Sequence, residues 1–310
     1  RAMQAARRRL QKRVWFWKTV QFFFYSQWKR LKSYANRKGI RIIGDLPIYV
    51  SPDSADLWAN SALFQLDERR RPTEVAGVPP DAFSADGQLW GNPLYDWKKH
   101  RAQGYAWWLQ RLRQAANLCD LVRIDHFRGF ESYYAIPAGA KTAAKGRWRK
   151  GPGMELIRAI RKELPDLGII AEDLGLLTPT VRRLLEESEL PGMKVLQFAF
   201  DPRGNSDYLP HNYPRNTVVY TGTHDNTTTE DWQYTAPLAE VSFARQYLGV
   251  KQASEFTDAM IRAAFSSVAE LCIIPMQDHL HLGAPARINT PSTLGNNWVW
   301  RLAEGQLTPP

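Results

Sequence analysis

Acidic residues that follow a series of β-branched segments are the side chains in this 310-residue chain most suited to chemistry. A carboxylate buried at the end of a strand is costly unless it is paired, and an isolated one most often caps the next helix. Capping alone does not explain acids at the ends of successive segments, so we predict that they converge on one site. These acids are Asp45, Asp125, Glu172, Asp173, Asp225 and Asp278.

Paired carboxylates suit the cleavage or transfer of a glycosidic bond, because one attacks or stabilises while the other protonates the leaving oxygen. Arg123 and Asp125 are two residues apart, so both side chains face the same side of a strand. We expect the guanidinium to keep Asp125 ionised and to lower its pKa, as a nucleophile requires. Glu172 then needs a raised pKa, from burial or a nearby negative charge, to act as a general acid.

Other chemistries find less support in the sequence. His279 and His281 have the spacing of one strand face, but no HExxH or CxxC motif for zinc occurs. No GxSxG turn marks a serine nucleophile. No GxGxxG or GxxxxGK[ST] opens a helix, so a nucleotide site is not supported. We therefore predict neither a metal nor a cofactor.

Composition narrows the class of protein. Apolar residues make up 44% and charged residues 23% of the chain, which are ordinary globular values. The net charge of +10 comes with no DNA- or RNA-binding motif, so we interpret the basic runs as solvated surface and predict no nucleic-acid partner. No apolar run is long enough for a membrane span, so we predict no membrane partner. Twelve Trp, thirteen Phe and twelve Tyr fit either an aromatic-rich core or a sugar-binding groove.

Both cysteines, Cys119 and Cys272, lie in apolar stretches and predict buried free thiols. A reducing compartment fits them, and we expect the cytoplasm, or a plastid if the source is a plant or alga.

Strands and helices that would position the acids alternate along the chain. Residues 3–38 predict one long helix that ends at Gly39. Buried strands are predicted at 41–50, 121–127, 168–174, 194–200, 217–225 and 270–278. Helices are predicted at 104–118, 153–164, 178–188 and 253–269.

This alternation indicates an α/β fold with a parallel sheet. The acids at the strand ends favour a barrel over a doubly wound sheet, because barrel enzymes build their sites at the carboxyl ends of the strands. Residues 51–103 form an irregular stretch rich in Pro, Gly, Asp and Trp that is too long for an ordinary loop. We predict that it lines a binding site or acts as a lid, and a surface excursion is the alternative.

Six segments resemble the 4-α-glucanotransferases of the amylomaltase type, glycoside hydrolase family 77, of the α-amylase clan. The likeness runs from about residue 20 to about residue 302. The segments are QWKRLKSYANRKGIRIIGDLPIYV, AGVPPDAFSADGQLWGNPLYDW, LVRIDHFRGF, IIAEDLG, YTGTHDNTTT and ARINTPSTLGNNWVWRL.

This resemblance implies a (β/α)8 TIM barrel that acts on α-1,4-glucans such as maltooligosaccharides, starch or glycogen by a retaining double displacement. It implies Asp125 as nucleophile, Glu172 as acid/base and Asp225 as the carboxylate that grips sugar hydroxyls. For Asp45 it leaves open a role at the substrate or in structural support. Supporting or substrate-contacting positions are Arg123, His224, Asp81, Trp90, Asn289 and Asp45.

The chain also departs from the family pattern, in which a longer N-terminal part supplies the first barrel strands. Only six strands are predicted here, so we expect residues 1–310 to form an incomplete barrel with N-terminal strands missing. The stretch 51–103 would be an insertion subdomain that lines the glucan groove. An α-glucan hydrolase or debranching enzyme, or a catalytically inactive fragment, are the alternatives.

Overall fold

The computed structural model describes residues 2–80, 86–175, 177–204, 206–291 and 293–307, in which six parallel strands are connected mainly through helices. The strands are β1 (Ile43–Leu46), β2 (Glu74–Val78), β3 (Gln88–Pro93), β4 (Leu121–Ile124), β5 (Ser132–Pro137), β6 (Arg147–Lys150), β7 (Gly168–Ala171), β8 (Gly192–Val195), β9 (Thr217–Tyr220) and β10 (Leu271–Ile273). The α-helices are α1 (Ala2–Arg9), α2 (Gln11–Arg37), α3 (Ala55–Ala59), α4 (Trp97–Ala102), α5 (Ala106–Leu118), α6 (Met154–Glu163), α7 (Pro179–Ser188), α8 (Thr229–Thr235), α9 (Leu238–Leu248), α10 (Phe256–Phe265) and α11 (Met276–His279).

Two parallel three-stranded sheets form the centre of the fold. One has the order β1-β4-β7 and the other the order β8-β9-β10. The amide of Ala171 at the end of β7 donates to the carbonyl of Pro191, just before β8, over 2.9 Å. The strands therefore follow one another in chain order across the described residues, as successive βα units do. The predicted α/β fold with parallel strands is confirmed.

Each predicted strand extends past the end of the observed one, and in two cases helical structure takes up most of the remainder. Residues 196–198 form a 3-10 turn after β8, and β10 ends before α11 begins. In the first case a short apolar run does not distinguish a strand from another buried segment. In the second, Pro275 has no amide proton for a sheet and directly precedes α11. Helices α8 and α9, which connect β9 to β10, were not predicted.

The stretch 51–103 is not irregular, and the prediction was wrong in that respect. It contains α3, β2, β3 and α4, and its strands belong to an antiparallel sheet of order β3-β2-β5-β6. A bulge between Val75 and Gly77 interrupts the alternation that marks such strands. A Cβ on Gly77 would lie 2.2 Å from the carbonyl oxygen of Gln88, so this close pairing requires glycine.

A large aromatic core joins this sheet to the strands that carry the acids. Tyr95 and Trp108 are almost fully buried, and the Tyr95 hydroxyl donates to the carbonyl of Ile48 over 2.6 Å. Phe127 and Phe130, just after β4, are also fully buried. Part of the aromatic content thus stabilises the core. Packing of the β3–α4 region against the end of β1 fixes the position of that region.

The predicted N-terminal helix is confirmed, with a break at Leu10 between α1 and α2. The second half of α2 contacts the fold through Trp28, whose Nε1 donates to the carbonyl of Leu118 over 2.6 Å. Lys32 forms an ion pair with Asp120 at 3.0 Å. None of the described helices is long and apolar enough to cross a membrane.

Candidate active site

Arg123 links two of the predicted acids at the carboxyl ends of β1 and β4. Its Nη1 lies 2.6 Å from Asp45 Oδ1 and its Nη2 lies 3.1 Å from Asp125 Oδ1. The parallel register places Asp45 directly beside Arg123. The Nε of Arg123 also lies 3.3 Å from the Met193 sulfur. Only 11% of the Arg123 side chain is exposed, so the two carboxylates balance a nearly buried cation.

The predicted lowering of the Asp125 pKa is wrong. Burial has the largest effect and raises the pKa of Asp125 above its ordinary value, and the charges of Asp45 and Asp225 raise it further. Arg123 lowers this pKa, as expected from its position, but does not outweigh the loss of solvation. Because 43% of the Asp125 side chain still faces solvent, a substrate can reach the carboxylate.

The raised pKa predicted for Glu172 is confirmed. Burial, followed by the charge of Asp125, raises the pKa of Glu172 to about 7. Arg123 and two backbone amides act in the opposite direction. The amide of Leu174 donates to Oε1 and that of His126 to Oε2, each over 2.7 Å. A carboxyl group with a pKa near neutrality can both give and take a proton, which suits an acid/base.

Asp225 is held by a segment that follows β10. Asn289 Nδ2 donates to Asp225 Oδ1 over 2.6 Å, and His224 Nε2 lies 3.5 Å from the same oxygen. Arg287 Nη2 donates to the Asp225 carbonyl over 2.6 Å. Arg287 was not predicted as a site residue, although it precedes Asn289 by two residues, as Arg123 precedes Asp125. Asn289 therefore contacts Asp225 itself, besides the substrate contact that the resemblance implies.

Asp125, Glu172 and Asp225 share one electrostatic environment. The charge of Asp125 raises the pKa of Glu172, and the charge of Asp225 raises that of Asp125. The three side chains follow β4 and β7 of one parallel sheet and β9 of the other, and successive parallel strands direct their carboxyl ends to the same side of the fold. The folded chain thus brings together the three acids that the resemblance implies.

Trp90 on β3 places the antiparallel sheet beside this cluster. Its ring is perpendicular to that of His126, with 4.8 Å between the ring centroids, and lies 6.3 Å from that of Tyr49. Because 37% of Trp90 remains exposed, a flat face is accessible next to the residue that follows Asp125. Asp81, which was predicted to contact substrate, lies outside the described residues.

A cavity of about 370 Å3 adjoins the cluster. Asp45, Arg123 and His224 line it, together with Trp298, whose ring centroid lies 5.0 Å from that of His224. Asp125, Glu172 and Asp225 are outside this lining. The described residues contain no group of three or more His, Cys, Asp or Glu side chains arranged to hold a metal ion.

A family model described as 4-alpha-glucanotransferase matches residues 1–307. The chain belongs to the 4-alpha-glucanotransferase family. A 4-alpha-glucanotransferase of Streptococcus pneumoniae is 50% identical over 310 residues, which cover 99% of this chain and 61% of that relative. A chloroplastic/amyloplastic 4-alpha-glucanotransferase of Solanum tuberosum is 50% identical over 282 residues, which cover 91% of this chain and 49% of that relative.

A solved amylomaltase structure agrees with this assignment. An amylomaltase from Streptococcus agalactiae, solved in complex with acarbose, superposes with a TM-score of 0.95 at 42% sequence identity. The match covers 99% of this chain and 62% of that structure. The chain therefore spans about three fifths or less of the length of these relatives.

Two of the strand-end acids make structural hydrogen bonds, and the predicted convergence is wrong for Asp173, whereas Asp278 lines the same cavity as Asp45, Arg123 and His224. Asp173 is buried and accepts a hydrogen bond from the amide of Met193 over 2.7 Å. Asp278 is 1% exposed and accepts from the Thr221 hydroxyl at 2.5 Å and from the Thr229 amide and hydroxyl at 2.8 and 2.7 Å. Asp278 thereby connects the end of β9 to the first turn of α8. It acts as a helix cap from a distant part of the chain.

Replacing Asp278 with alanine is expected to lower the free energy of unfolding by about 3 kcal/mol, because it leaves three buried donors without their acceptor. Urea unfolding followed by circular dichroism measures the loss. Asp258→Ala on α10 is the control, since the Asp258 side chain is 53% exposed and paired only with His281 among the described residues. Equal unfolding midpoints for the two variants would contradict the proposed clamp.

Proposed function

We propose that this chain carries the catalytic centre of a 4-α-glucanotransferase, which moves an α-1,4-glucan segment to the 4-hydroxyl of an acceptor glucan or glucose. The observation that carries the proposal is the cluster of Asp125, Glu172 and Asp225 at the ends of three parallel strands. Their environments differ in the way that glycosyl transfer needs, since Asp125 is reachable from solvent and Glu172 has a pKa of about 7.

The reaction proceeds through two displacements at the anomeric carbon. Asp125 attacks this carbon while protonated Glu172 gives its proton to the leaving glucosyl oxygen, and the first sugar fragment departs. The 4-hydroxyl of an acceptor then enters, Glu172 removes its proton, and the new oxygen displaces Asp125 to form an α-1,4 bond. Two inversions retain the α configuration. Transfer exceeds hydrolysis if the bound acceptor excludes water.

The surrounding residues support this chemistry. Arg123 orients Asp125 through the 3.1 Å contact, and Asp45 holds the other side of its guanidinium. Asp225 binds sugar hydroxyls at the cleavage point, with His224 beside it. Trp90 offers an exposed aromatic face on which a sugar ring can stack.

A (β/α)8 barrel that is incomplete in this chain is the proposed fold, with β1, β4, β7, β8, β9 and β10 as six of its strands. Residues 1–310 form one partial catalytic barrel, and 51–103 form a subdomain that lines the glucan groove together with β5 and β6. Asp81 within that subdomain contacts substrate. Support comes from the pairing of β2 with β5 and from Trp90 beside His126.

Maltooligosaccharides, starch or glycogen are the proposed substrates, and the acarbose complex of the Streptococcus agalactiae amylomaltase supports a glucan ligand. The cytoplasm is the proposed location, or the plastid in a plant or alga. The chloroplastic/amyloplastic name of the Solanum tuberosum relative supports the second case.

Maltotriose disproportionation, followed by product chromatography, tests the function. Glucose together with longer maltodextrins is the expected result. Glucose and maltose without longer products would instead identify an α-glucan hydrolase. A folded chain that releases no product would show that this polypeptide is an inactive piece of the family enzyme.

Asn289→Ala is expected to lower kcat for maltotriose about 10- to 100-fold, because the hydrogen bond to the Asp225 carboxylate is lost. KM should change little if Asn289 acts through the orientation of Asp225. Steady-state kinetics separates the two constants, and Asn216→Ala is the matched control because Asn216 is exposed and bonds only the Glu189 carbonyl among the described residues. A raised KM with an unchanged kcat would instead favour a direct ground-state contact to sugar.

A further inference from the structure

We propose that His126 is a positioning residue for Glu172, because the left-handed turn after Asp125 aims the His126 backbone N–H at the Glu172 carboxylate and Trp90 holds that turn. The inference rests on the proposed function, in which Glu172 is the acid/base. It assigns a role to the residue that follows the nucleophile and extends the role of Trp90 beyond sugar stacking.

Two consecutive amides after Asp125 bind Glu172. The His126 amide donates to Glu172 Oε2 over 2.7 Å, and the Phe127 amide donates to the Glu172 main-chain oxygen over 3.0 Å. The amide of Leu174 holds the other carboxylate oxygen. One short turn therefore connects the end of β4, which carries Asp125, to both the side chain and the backbone of the residue that follows β7.

The turn depends on an unusual backbone conformation at His126. Its φ is 52° and its ψ is 48°, a left-handed region that residues other than glycine seldom adopt. A conformation of this kind persists only when the surrounding structure enforces it. Trp90 packs perpendicular to the His126 ring at 4.8 Å. Gly129 leaves room for the His126 ring on another side of that ring, since a Cβ at position 129 would lie 3.2 Å from His126 Cδ2.

The His126 ring itself does not exchange protons in the working pH range. Burial, followed by the charge of Arg128, lowers the pKa of His126 to about 3, so the imidazole is neutral near pH 7. Its Nε2 is buried and has no hydrogen-bond partner among the described residues. The ring thus serves as an anchor against Trp90, and the backbone N–H makes the contact to Glu172.

Few groups other than Glu172 lie close to the His126 amide and can change charge near pH 7. Asp125 and Arg123 from β4 are the charged groups that act on Glu172. Tyr208, whose hydroxyl accepts from the Gly175 amide at 3.2 Å, has its pKa raised to about 12, mainly by burial. Asp125, whose pKa is also raised, is the other carboxyl group next to this amide, so a transition near pH 7 reports on Glu172 when it is absent in Glu172→Gln and persists in Asp125→Asn.

Nuclear magnetic resonance of the chain labelled with 15N-histidine tests the contact without any turnover. The six histidines produce six amide signals, and the signal that disappears in His126→Asn is assigned to His126. We expect the chemical shift of the His126 amide proton to change with pH with a midpoint of about 7. This transition should be absent in Glu172→Gln. A His126 signal that does not titrate, or that titrates equally in Glu172→Gln, would overturn the proposal even if the chain transfers glucan.

A matched pair of variants tests the catalytic consequence. His126→Asn and His126→Val both remove the ring, but only asparagine readily adopts a left-handed backbone. We expect His126→Val to disproportionate maltotriose about 10- to 100-fold more slowly than His126→Asn. With α-maltosyl fluoride as donor and azide as acceptor, neither step needs Glu172, so the two variants should agree within about threefold.

Equal losses on both donors would indicate a general structural defect and contradict the positioning role. If the parent chain does not turn over maltotriose, the proposed function fails for this polypeptide, and the amide titration still decides whether His126 binds the Glu172 carboxylate.

Discussion

Replacing Asp125 with asparagine is expected to lower maltotriose disproportionation by at least about 10⁴-fold. An amide cannot form the glycosyl ester through which both displacements pass. The substitution is nearly isosteric, and its carbonyl oxygen can still accept the 3.1 Å hydrogen bond from Arg123. The fold should therefore be retained, so the loss would reflect the missing nucleophile. Product chromatography and near-UV circular dichroism measure the two effects separately.

The control for this variant is Asp258→Asn, which makes the same chemical change on the exposed surface of α10 and should leave transfer intact. Mass spectrometry adds a direct test, because a slow fluorinated maltosyl donor should leave a covalent adduct on the peptide that contains Asp125. An adduct on another carboxylate, or an Asp125→Asn variant as active as Asp258→Asn, would refute the assigned nucleophile.

Glu172→Gln is expected to lower maltotriose turnover about 10³-fold, because no proton reaches the leaving oxygen. Burial and the charge of Asp125 keep Glu172 protonated up to a pKa of about 7 in the parent. The acid is therefore lost as the pH rises through this value, and kcat/KM should fall on the alkaline side. Initial rates between pH 4 and 10 measure this limb, which should be absent in Glu172→Gln.

Chemical rescue distinguishes a lost acid/base from a damaged site. With α-maltosyl fluoride and azide, the Glu172→Gln variant should form α-maltosyl azide, because fluoride leaves without protonation and azide attacks without deprotonation. Glu189→Gln is the control, since the Glu189 side chain is 79% exposed and lies outside the site. A Glu172→Gln variant that stays inactive with the fluoride donor would contradict an acid/base role.

The same pKa has a consequence for stability that needs no substrate. Because the pKa of Glu172 is higher in the folded chain than in the unfolded chain, its contribution to stability is present below pH 4.5 and is lost as the pH rises through about 7. The loss approaches ~3 kcal/mol above that pH. Glu172→Gln should therefore raise the Tm relative to the parent at pH 8 but not at pH 4. Equal differences at both pH values would argue against a raised pKa.

Spacing along the chain was sufficient to predict how several residues are arranged. Arg123 and Asp125 share a strand face because strand periodicity is two, and the structure pairs them at 3.1 Å. The carboxyl ends of parallel strands meet at one edge, which explains why Glu172 and Asp225 could be associated with Asp125 from sequence. The same pattern included Asp173, because a buried acid that binds a neighbouring backbone amide has no local signature that separates it from one facing the site.

The antiparallel sheet shows where local patterns fail. Strand β2 pairs with β5, which lies about sixty residues later, beyond β3 and β4. Neither strand has a long alternating pattern, and β2 contains a bulge at Val75 and Gly77. The position of Trp90 beside His126 depends on this non-local pairing, so the sequence could associate Trp90 with a sugar but not with the turn that follows Asp125.

Residue types and their order along the chain were enough to establish the α/β class, the family resemblance and the acids that follow the strands. The protonation behaviour of those acids came from the folded arrangement. Arg123 next to Asp125 predicted a lowered pKa, yet burial raises it, and Glu172 reaches a pKa of about 7 through burial and the nearby charge of Asp125. A pKa depends on solvent access and on charges within a few ångströms in space, and residues far apart in the chain supply both.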